Sequence, residues 1–256
     1  VNENWTAARY CDLMEEEITG LATAAAGADL AQPAPTCPGW SLADVIRQTG
    51  EMFRWIEPMI RNRARRVVGF RDVDLTGPST PDGYVDWMID SGHELLRALR
   101  AADPDRPLWS WGYEQTVRFW ARRAYYNTAI HRADVELTLG CVPSFDVDVT
   151  IDGTEEFLQI LPYAADYSPR ISMLRGRGET LRLVSPESRW LITLTRKGYE
   201  WRREDDDAGR AADATVAAER ADDLLLFVWG RLGEPVVSVT GDRKLARRWT
   251  ELSAFC

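Results

Sequence analysis

The stretch from Thr116 to Gly140, TVRFWARRAYYNTAIHRADVELTLG, constrains this chain most. It holds no Pro, and no Gly before its last residue, so nothing interrupts a helix of about six to seven turns at 3.6 residues per turn. Gly140 supplies the C-terminal stop. Trp120, Ala124, Asn127, His131, Asp134 and Val135 recur at steps of mostly three or four and therefore share one face. A face made for packing alone would be Leu, Ile and Ala throughout. Here an indole is followed by an amide, an imidazole and a carboxylate, a composition that suits a polar site in the core of a helix bundle. A His beside an Asp also makes an ordinary structural pair, and the residues alone leave both readings open.

The flanking sequence supplies three more helices before Gly140. Asn4 to Ala26 carries an apolar stripe of Trp5, Ala8, Cys11, Met14, Ile18, Leu21 and Ala25. A Pro-rich connector then ends in Thr36-Cys37-Pro38-Gly39-Trp40, where Pro-Gly marks a tight turn. Ser41 with Asp44 three residues later reads as a capping box for a helix from Leu42 to about Ile60, with Pro58 near its end. Arg61 to Thr80 reads as a basic loop, and Pro81 at the first helical position opens a helix to Ala102. His93 falls off the Trp87–Ser91–Leu95 line and reads as a surface or packing residue.

Beyond Gly140 the texture changes. A short helix is expected from Thr154 to Leu161, then strands at Thr180–Val184, Trp190–Thr195, Tyr199–Arg203 and Ala214–Ala218. Asp222 to Leu232 reads as a helix, Pro235 to Thr240 as a last strand and Asp242 to Ala254 as a last helix. Residues 1–145 therefore form an expected helical bundle and residues 146–256 a small α+β domain.

Composition excludes several classes. A net charge of −9 over 256 residues opposes binding to nucleic-acid phosphates and to anionic membranes. No apolar run approaches the roughly 18 residues of a membrane span. The acidic, mixed N-terminus is not a signal peptide, so a cytoplasmic location is expected. Cys11, Cys37, Cys141 and Cys256 form no C-x-x-C pair, which excludes a zinc ribbon or a thioredoxin-like motif, and Cys37 reads as a buried small apolar residue. Only His93 and His131 are available to a histidine-rich metal site.

The run FWARRAYYNTAIHRADVEL, from Phe119 to Leu137, resembles the signature helix of the mycothiol-dependent maleylpyruvate isomerase family within the DinB-like superfamily. In that family the helix reads roughly FW-x-R-R-x-x-H-E-T-A-x-H-R-x-D-x-E. The turn TCPGWS followed by Asp44-Val45, and the string DLLLFVWGRL with VTGDRKLARRW near the end, are similar to two further family motifs. The resemblance implies a DinB-like four-helix bundle followed by a small C-terminal α+β domain. It also implies mycothiol, a sugar-linked cysteinyl thiol, as co-substrate. Family members hold a metal through the Glu and second His of this helix and a His from the second helix. His131 keeps the second His, but Asn127 stands at the Glu, Tyr126 at the preceding His and Gln48 at the His of the second helix. Amide oxygens are weak, neutral donors toward Zn²⁺, so no metal is expected.

Three readings follow. In the first, the chain is a mycothiol-dependent thiol transferase that works without a metal on an activated, sugar-like small molecule, as in lincosamide-type natural-product pathways. His131 is then a proton carrier, suited by an imidazole that titrates near neutrality, with Asn127 and Gln48 completing the catalytic set. Trp55, Trp120, Tyr126, Arg123, Asp134 and Arg231 are the expected substrate-binding residues; the family places an Arg at the Arg231 position toward the bundle mouth. In the second, a non-catalytic relative binds a thiol or metabolite. In the third, a maleylpyruvate-type isomerase uses an unusual ligand set. All three take small-molecule partners and need no nucleic acid or membrane, with the chain a monomer or homodimer.

Overall fold

A computed structural model describes residues 5–204 and 211–254. The expected first turn at Asn4 and the last cysteine, Cys256, lie outside the described residues. The chain divides into two units, Val1–Pro143 and Ser144–Cys256.

The first unit is a bundle of α1 (Ala7–Ala25), α2 (Leu42–Arg61), α3 (Tyr84–Ala101) and α4 (Val117–Thr138). Helices α1 and α2 each pack on both α3 and α4, which makes them opposite corners of the bundle. The stripe read in α1 is the buried one: Cys11, Met14, Ile18, Leu21 and Ala25 are all in the core. At the start of α2, Ser41 Oγ accepts from the Asp44 amide at 3.3 Å and Asp44 Oδ2 accepts from the Ser41 amide at 2.9 Å. This is the capping box its sequence announces. Pro58 removes one N–H from the ladder in the last turn but does not end the helix, and α2 runs on to Arg61. Gly50 lets α2 and α3 approach closely, because a Cβ there would lie 2.3 Å from the Trp87 ring. Gly140, at φ +76°, ends α4. The Cys141 amide donates to the Glu136 carbonyl at 2.8 Å and the Gly140 amide to Leu137 at 3.2 Å, the Schellman pattern.

The second unit contains α5 (Val147–Ile160), a five-stranded sheet, α6 (Ala221–Val228) and α7 (Arg243–Ser253). Its strands are β1 (Thr180–Val184), β2 (Arg189–Thr195), β3 (Gly198–Glu204), β4 (Ala214–Ala217) and β5 (Ser238–Gly241), in the order β3-β2-β1-β4-β5. β1 to β3 form the expected antiparallel meander, while β4 joins β1 in parallel and pairs with β5 antiparallel. Leu181, Leu183, Trp190, Ile192, Leu194, Ala214 and Val216 are buried at alternate positions. They form one apolar sheet face, with α7 against β4.

Several boundaries differ from the sequence reading. Pro81 opens a 3-10 turn, Pro81–Gly83, and α3 itself begins at Tyr84. α5 begins at Val147 rather than Thr154: Val149, Thr150, Asp152 and Gly153 are buried, and packing overrides the weak helix propensity of Val, Thr and Gly. α6 stops at Val228 rather than Leu232, because Gly230 at φ +75° closes it. β5 starts at Ser238, three residues after Pro235, which has no N–H for a ladder.

Candidate functional site

The site grows from the polar face of α4. His131 Nδ1 lies 2.9 Å from Asp134 Oδ2, and both side chains are buried, Asp134 completely. They are three residues apart on one helical face, so the contact is local. An ionised carboxylate only accepts hydrogen bonds, so this contact makes Nδ1 the donor and Nε2 the acceptor nitrogen of the neutral ring. That is the arrangement by which an acidic partner orients a histidine base.

The connector between α1 and α2 closes over this pair. Its ends meet where the Ala34 amide donates to the Trp40 carbonyl at 2.8 Å and the Leu42 amide to Gln32 at 3.0 Å. Inside that loop, the Cys37 amide donates to Ala34 at 3.1 Å and the Trp40 amide to Cys37 at 3.0 Å, with Gly39 at φ +87° completing the turn. Gln32 Nε2 ties the connector to the end of α4 by donating to the Thr138 carbonyl at 3.0 Å. So held, the turn delivers two groups. The Cys37 thiol donates to Asp134 Oδ2 at 3.4 Å, and the Trp40 ring stacks on the His131 imidazole at 6.3 Å with an interplanar angle of 27°. The sequence reading had Cys37 as apolar filling. It is buried, but it is also a hydrogen-bond donor to a residue 97 positions away. Neither Cys37 nor Trp40 was among the expected site residues. The TCPGW turn was the available signal, and it carried no information about which helix it would face.

Gln48 Oε1 and Asn127 Oδ1 are buried oxygens with no hydrogen-bond partner among the described residues. A buried polar atom left unpaired costs about 1–3 kcal/mol, so such atoms mark places where a ligand or water belongs. Asn127 stands one turn before His131 on α4, and Gln48 lies on α2, which packs on α4.

Trp55 and Trp120 meet edge to face at 5.2 Å, with Trp109 and Phe70 also against Trp55. Their indole N–H groups are already used: Trp55 donates to the Val68 carbonyl at 2.9 Å and Trp120 to Trp109 at 2.7 Å. These contacts anchor the loop after α2 through Val68 and Phe70, and the segment before α4 through Trp109. Tyr126 is buried against Tyr125 at 4.7 Å and Tyr10 of α1 at 6.4 Å. Arg123 is buried. His93 is exposed, as read. Arg132 turns to α1, pairing with Glu17 and, at 2.6 Å, with Glu136.

In the second unit, Arg231 is the residue just past Gly230. Its amide donates to Leu226 at 2.7 Å and closes α6, and its Nη1 donates to the Trp229 carbonyl at 2.8 Å.

The metal implied by the family resemblance does not fit Gln48, Asn127 and His131. Two of those three positions offer neutral amide oxygens and no negative charge, where zinc takes imidazole, thiolate or carboxylate. A different group has suitable donor types: ligand atoms of Cys37, His131 and Asp134 lie within 4.8 Å of one another. In the structure these atoms satisfy one another by hydrogen bonds.

Comparison with known proteins gives a consistent result. No curated protein sequence matches the chain. Two crystal structures of a mycothiol-dependent maleylpyruvate isomerase share the fold. One, of a mutant form, is 13% identical, with a TM-score of 0.56 over 93% of this chain and 94% of that one. The other is 12% identical, with a TM-score of 0.54 over the same shares. A family model described as the mycothiol maleylpyruvate isomerase N-terminal domain matches residues 11–136, which span α4 through Glu136, including Asn127, His131 and Asp134. The helical unit of this chain, over residues 11–136, is a mycothiol maleylpyruvate isomerase N-terminal domain.

Proposed function

We propose that this protein is a mycothiol-dependent thiol transferase acting on an activated, sugar-like small molecule, with His131 as the proton carrier and no metal. The family points to mycothiol-dependent thiol chemistry. The observation that carries the finer reading is the buried His131–Asp134 pair beside a ligand set reduced to amides. The incoming thiol gives its proton to His131 Nε2, the thiolate attacks the electrophilic carbon, and the departing sulfur takes the proton back. Bonds and charge balance without a further reactant. Asp134 holds the imidazole in the tautomer that can accept and stabilises the imidazolium as it forms. Gln48 and Asn127 accept from hydroxyl or amide groups of the ligands. Arg231 binds an anionic or polyhydroxylated part, with Arg123, Trp55, Trp120 and Tyr126 as further binding residues. Natural-product pathways that exchange one thiol for another, lincosamide-type among them, are the proposed setting.

The test is conjugate formation. Protein incubated with mycothiol and a panel of activated glycosides should yield S-conjugates by mass spectrometry, and His131→Asn protein should not. Tight mycothiol binding without any product across the panel would favour a non-catalytic relative. One observation favours the isomerase reading with altered ligation, namely the Cys37, His131 and Asp134 cluster. Stoichiometric metal in protein purified without a polyhistidine tag, together with maleylpyruvate turnover, would establish it.

A further inference from the structure

We infer that a second cleft, walled by α2, α3 and the segment between them, is a binding site for a small organic amine. No residue of α4 lines this cleft, which stands apart from the thiol-transfer site. Arg54, Glu57, Pro58 and Arg61 share one face of α2, and Ser91 and Glu94 stand three residues apart on α3. The segment from Ala64 to Asp74 completes the walls and is pinned along its length. Its Ala64 amide donates to the Met59 carbonyl at 3.0 Å. Trp55 Nε1 donates to the Val68 carbonyl at 2.9 Å and Arg54 Nε to the Asp74 carbonyl at 3.2 Å. The cleft is therefore formed before any ligand arrives. Its volume, about 640 Å³, is that of a small-molecule site.

Ser91 supplies the first clue to the ligand. It is 2% exposed, and its hydroxyl has no hydrogen-bond partner among the described residues. A hydroxyl inside a helix can bond the carbonyl four residues back, as Thr49 does to Val45 at 2.9 Å, but Ser91 does not. A buried hydroxyl left unpaired is costly and marks a place for a polar group of a ligand. Charge supplies the second clue. Two arginines, Arg54 and Arg61, stand among four carboxylates, those of Glu57, Asp72, Asp74 and Glu94. Arg61 pairs with Glu57 at 3.0 Å, Arg54 with Asp74 at 3.9 Å and Glu94 with Arg97 at 4.0 Å. Asp72 has no cationic partner among the described residues, and the two longest pairs are at the limit of an ion-pair contact. The cleft thus keeps an excess of negative charge. Its carboxylates do not converge, since among the described residues no three of them bring oxygens within 4.8 Å of one another. A metal ion needs that convergence, whereas an ammonium does not. Pro58, Met59, Val68 and Val73 offer apolar wall to a carbon body. An amine with an apolar body and a second polar group for Ser91 meets all of these features.

Three probes that differ in one group test this. Phenylethanolamine, phenylethanediol and mandelate share a phenyl carbinol and end in an ammonium, a hydroxyl and a carboxylate. Titrated into the whole chain at low salt and followed by calorimetry, phenylethanolamine should bind in the millimolar range. The other two should bind more weakly by about tenfold or more, the worth of a hydrogen bond to a charged group. Ser91→Ala should weaken amine binding about 2–10-fold, the net worth of one hydrogen bond. Its melting temperature should be equal to wild type or higher, because no intramolecular bond is lost. Asp72→Asn removes a charge but keeps an oxygen for the Gly69 amide, which Asp72 Oδ2 now accepts at 2.8 Å. This variant should also bind the amine less tightly, and added salt should weaken binding to the wild type. No detectable binding of the amine overturns the inference, as does mandelate or phenylethanediol binding equally well. Amine binding that neither variant alters also overturns it, by placing the amine elsewhere on an acidic chain. So does a lowered melting temperature in Ser91→Ala, which would mean that the hydroxyl is already satisfied within the fold.

Discussion

Replacing His131 by Asn separates a proton carrier from a structural pair. The Asn side chain places its amide close to where Nδ1 stands, so it can still donate to Asp134 Oδ2, now 2.9 Å from the ring nitrogen. What it deletes is the far edge of the ring, including Nε2. The stability cost should therefore lie toward the lower end of the about 1–3 kcal/mol for a disturbed buried hydrogen bond. Lost contact with the Trp40 ring, 6.3 Å from the imidazole, adds to this cost. The rate cost is of a different order. General acid–base catalysis contributes about 10²–10⁴-fold, which corresponds to roughly 2.7–5.5 kcal/mol at 1.36 kcal/mol per tenfold. A thermal melt and a single-turnover assay on the same preparation distinguish the two. The expected result is a folded protein with a small loss of melting temperature and a rate lowered by at least two orders of magnitude. A folded variant with wild-type single-turnover rate would refute the catalytic role and leave a binding pocket.

Other expectations follow from the same geometry. Arg231→Ala should raise KM with the melt nearly unchanged; a lowered melting temperature with wild-type KM would mean that Arg231 only closes α6. Gly50→Ala should destabilise by about 1–3 kcal/mol through overpacking, although Ala in an open helix gains about 1 kcal/mol over Gly, because its Cβ would lie 2.3 Å from Trp87; a more stable variant in denaturant melts would contradict the close approach. Joint replacement Gln48→His and Asn127→Glu should create tight, chelator-sensitive zinc binding by restoring the family donor types; unchanged weak binding by calorimetry would mean the bundle no longer presents those positions together. Brief alkylation of the native protein near pH 8 should modify the exposed Cys141 and spare the buried Cys11, whose pKa burial pushes up to about 11; peptide mapping that finds Cys11 labelled first would contradict its packing.

The parts of the fold legible in the sequence are those set by local chemistry. The Ser41–Asp44 box, the stop at Gly140 and the α1 stripe each involve residues within one or two turns of one another, so spacing alone specifies them. Alternation likewise located β1 and β2 to within a residue. The start of α5 was not legible, because burial rather than propensity forms its first two turns. The parallel pairing of β1 with β4 was not legible either, since it joins segments separated by two other strands. The site divides along the same line. His131 and Asp134 share a helix, and their pairing follows from an i, i+3 spacing. Cys37 and Trp40 reach them across the bundle from a turn about ninety residues earlier, and no periodicity connects the two. Trp55 and Trp120 are expected from sequence as substrate-binding residues, and their N–H groups donate to the Val68 and Trp109 carbonyls, partners that no spacing in the sequence specifies.

The central claim is thiol transfer by His131 without a metal. Its most direct test is the rate of S-conjugate formation from mycothiol and an activated glycoside, measured on untagged protein before and after exhaustive EDTA treatment, with metal content determined on the same samples. The account predicts an unchanged rate in protein holding far less than one metal per chain. A rate that falls with the metal removed and returns with added Zn²⁺ or Ni²⁺ would contradict it.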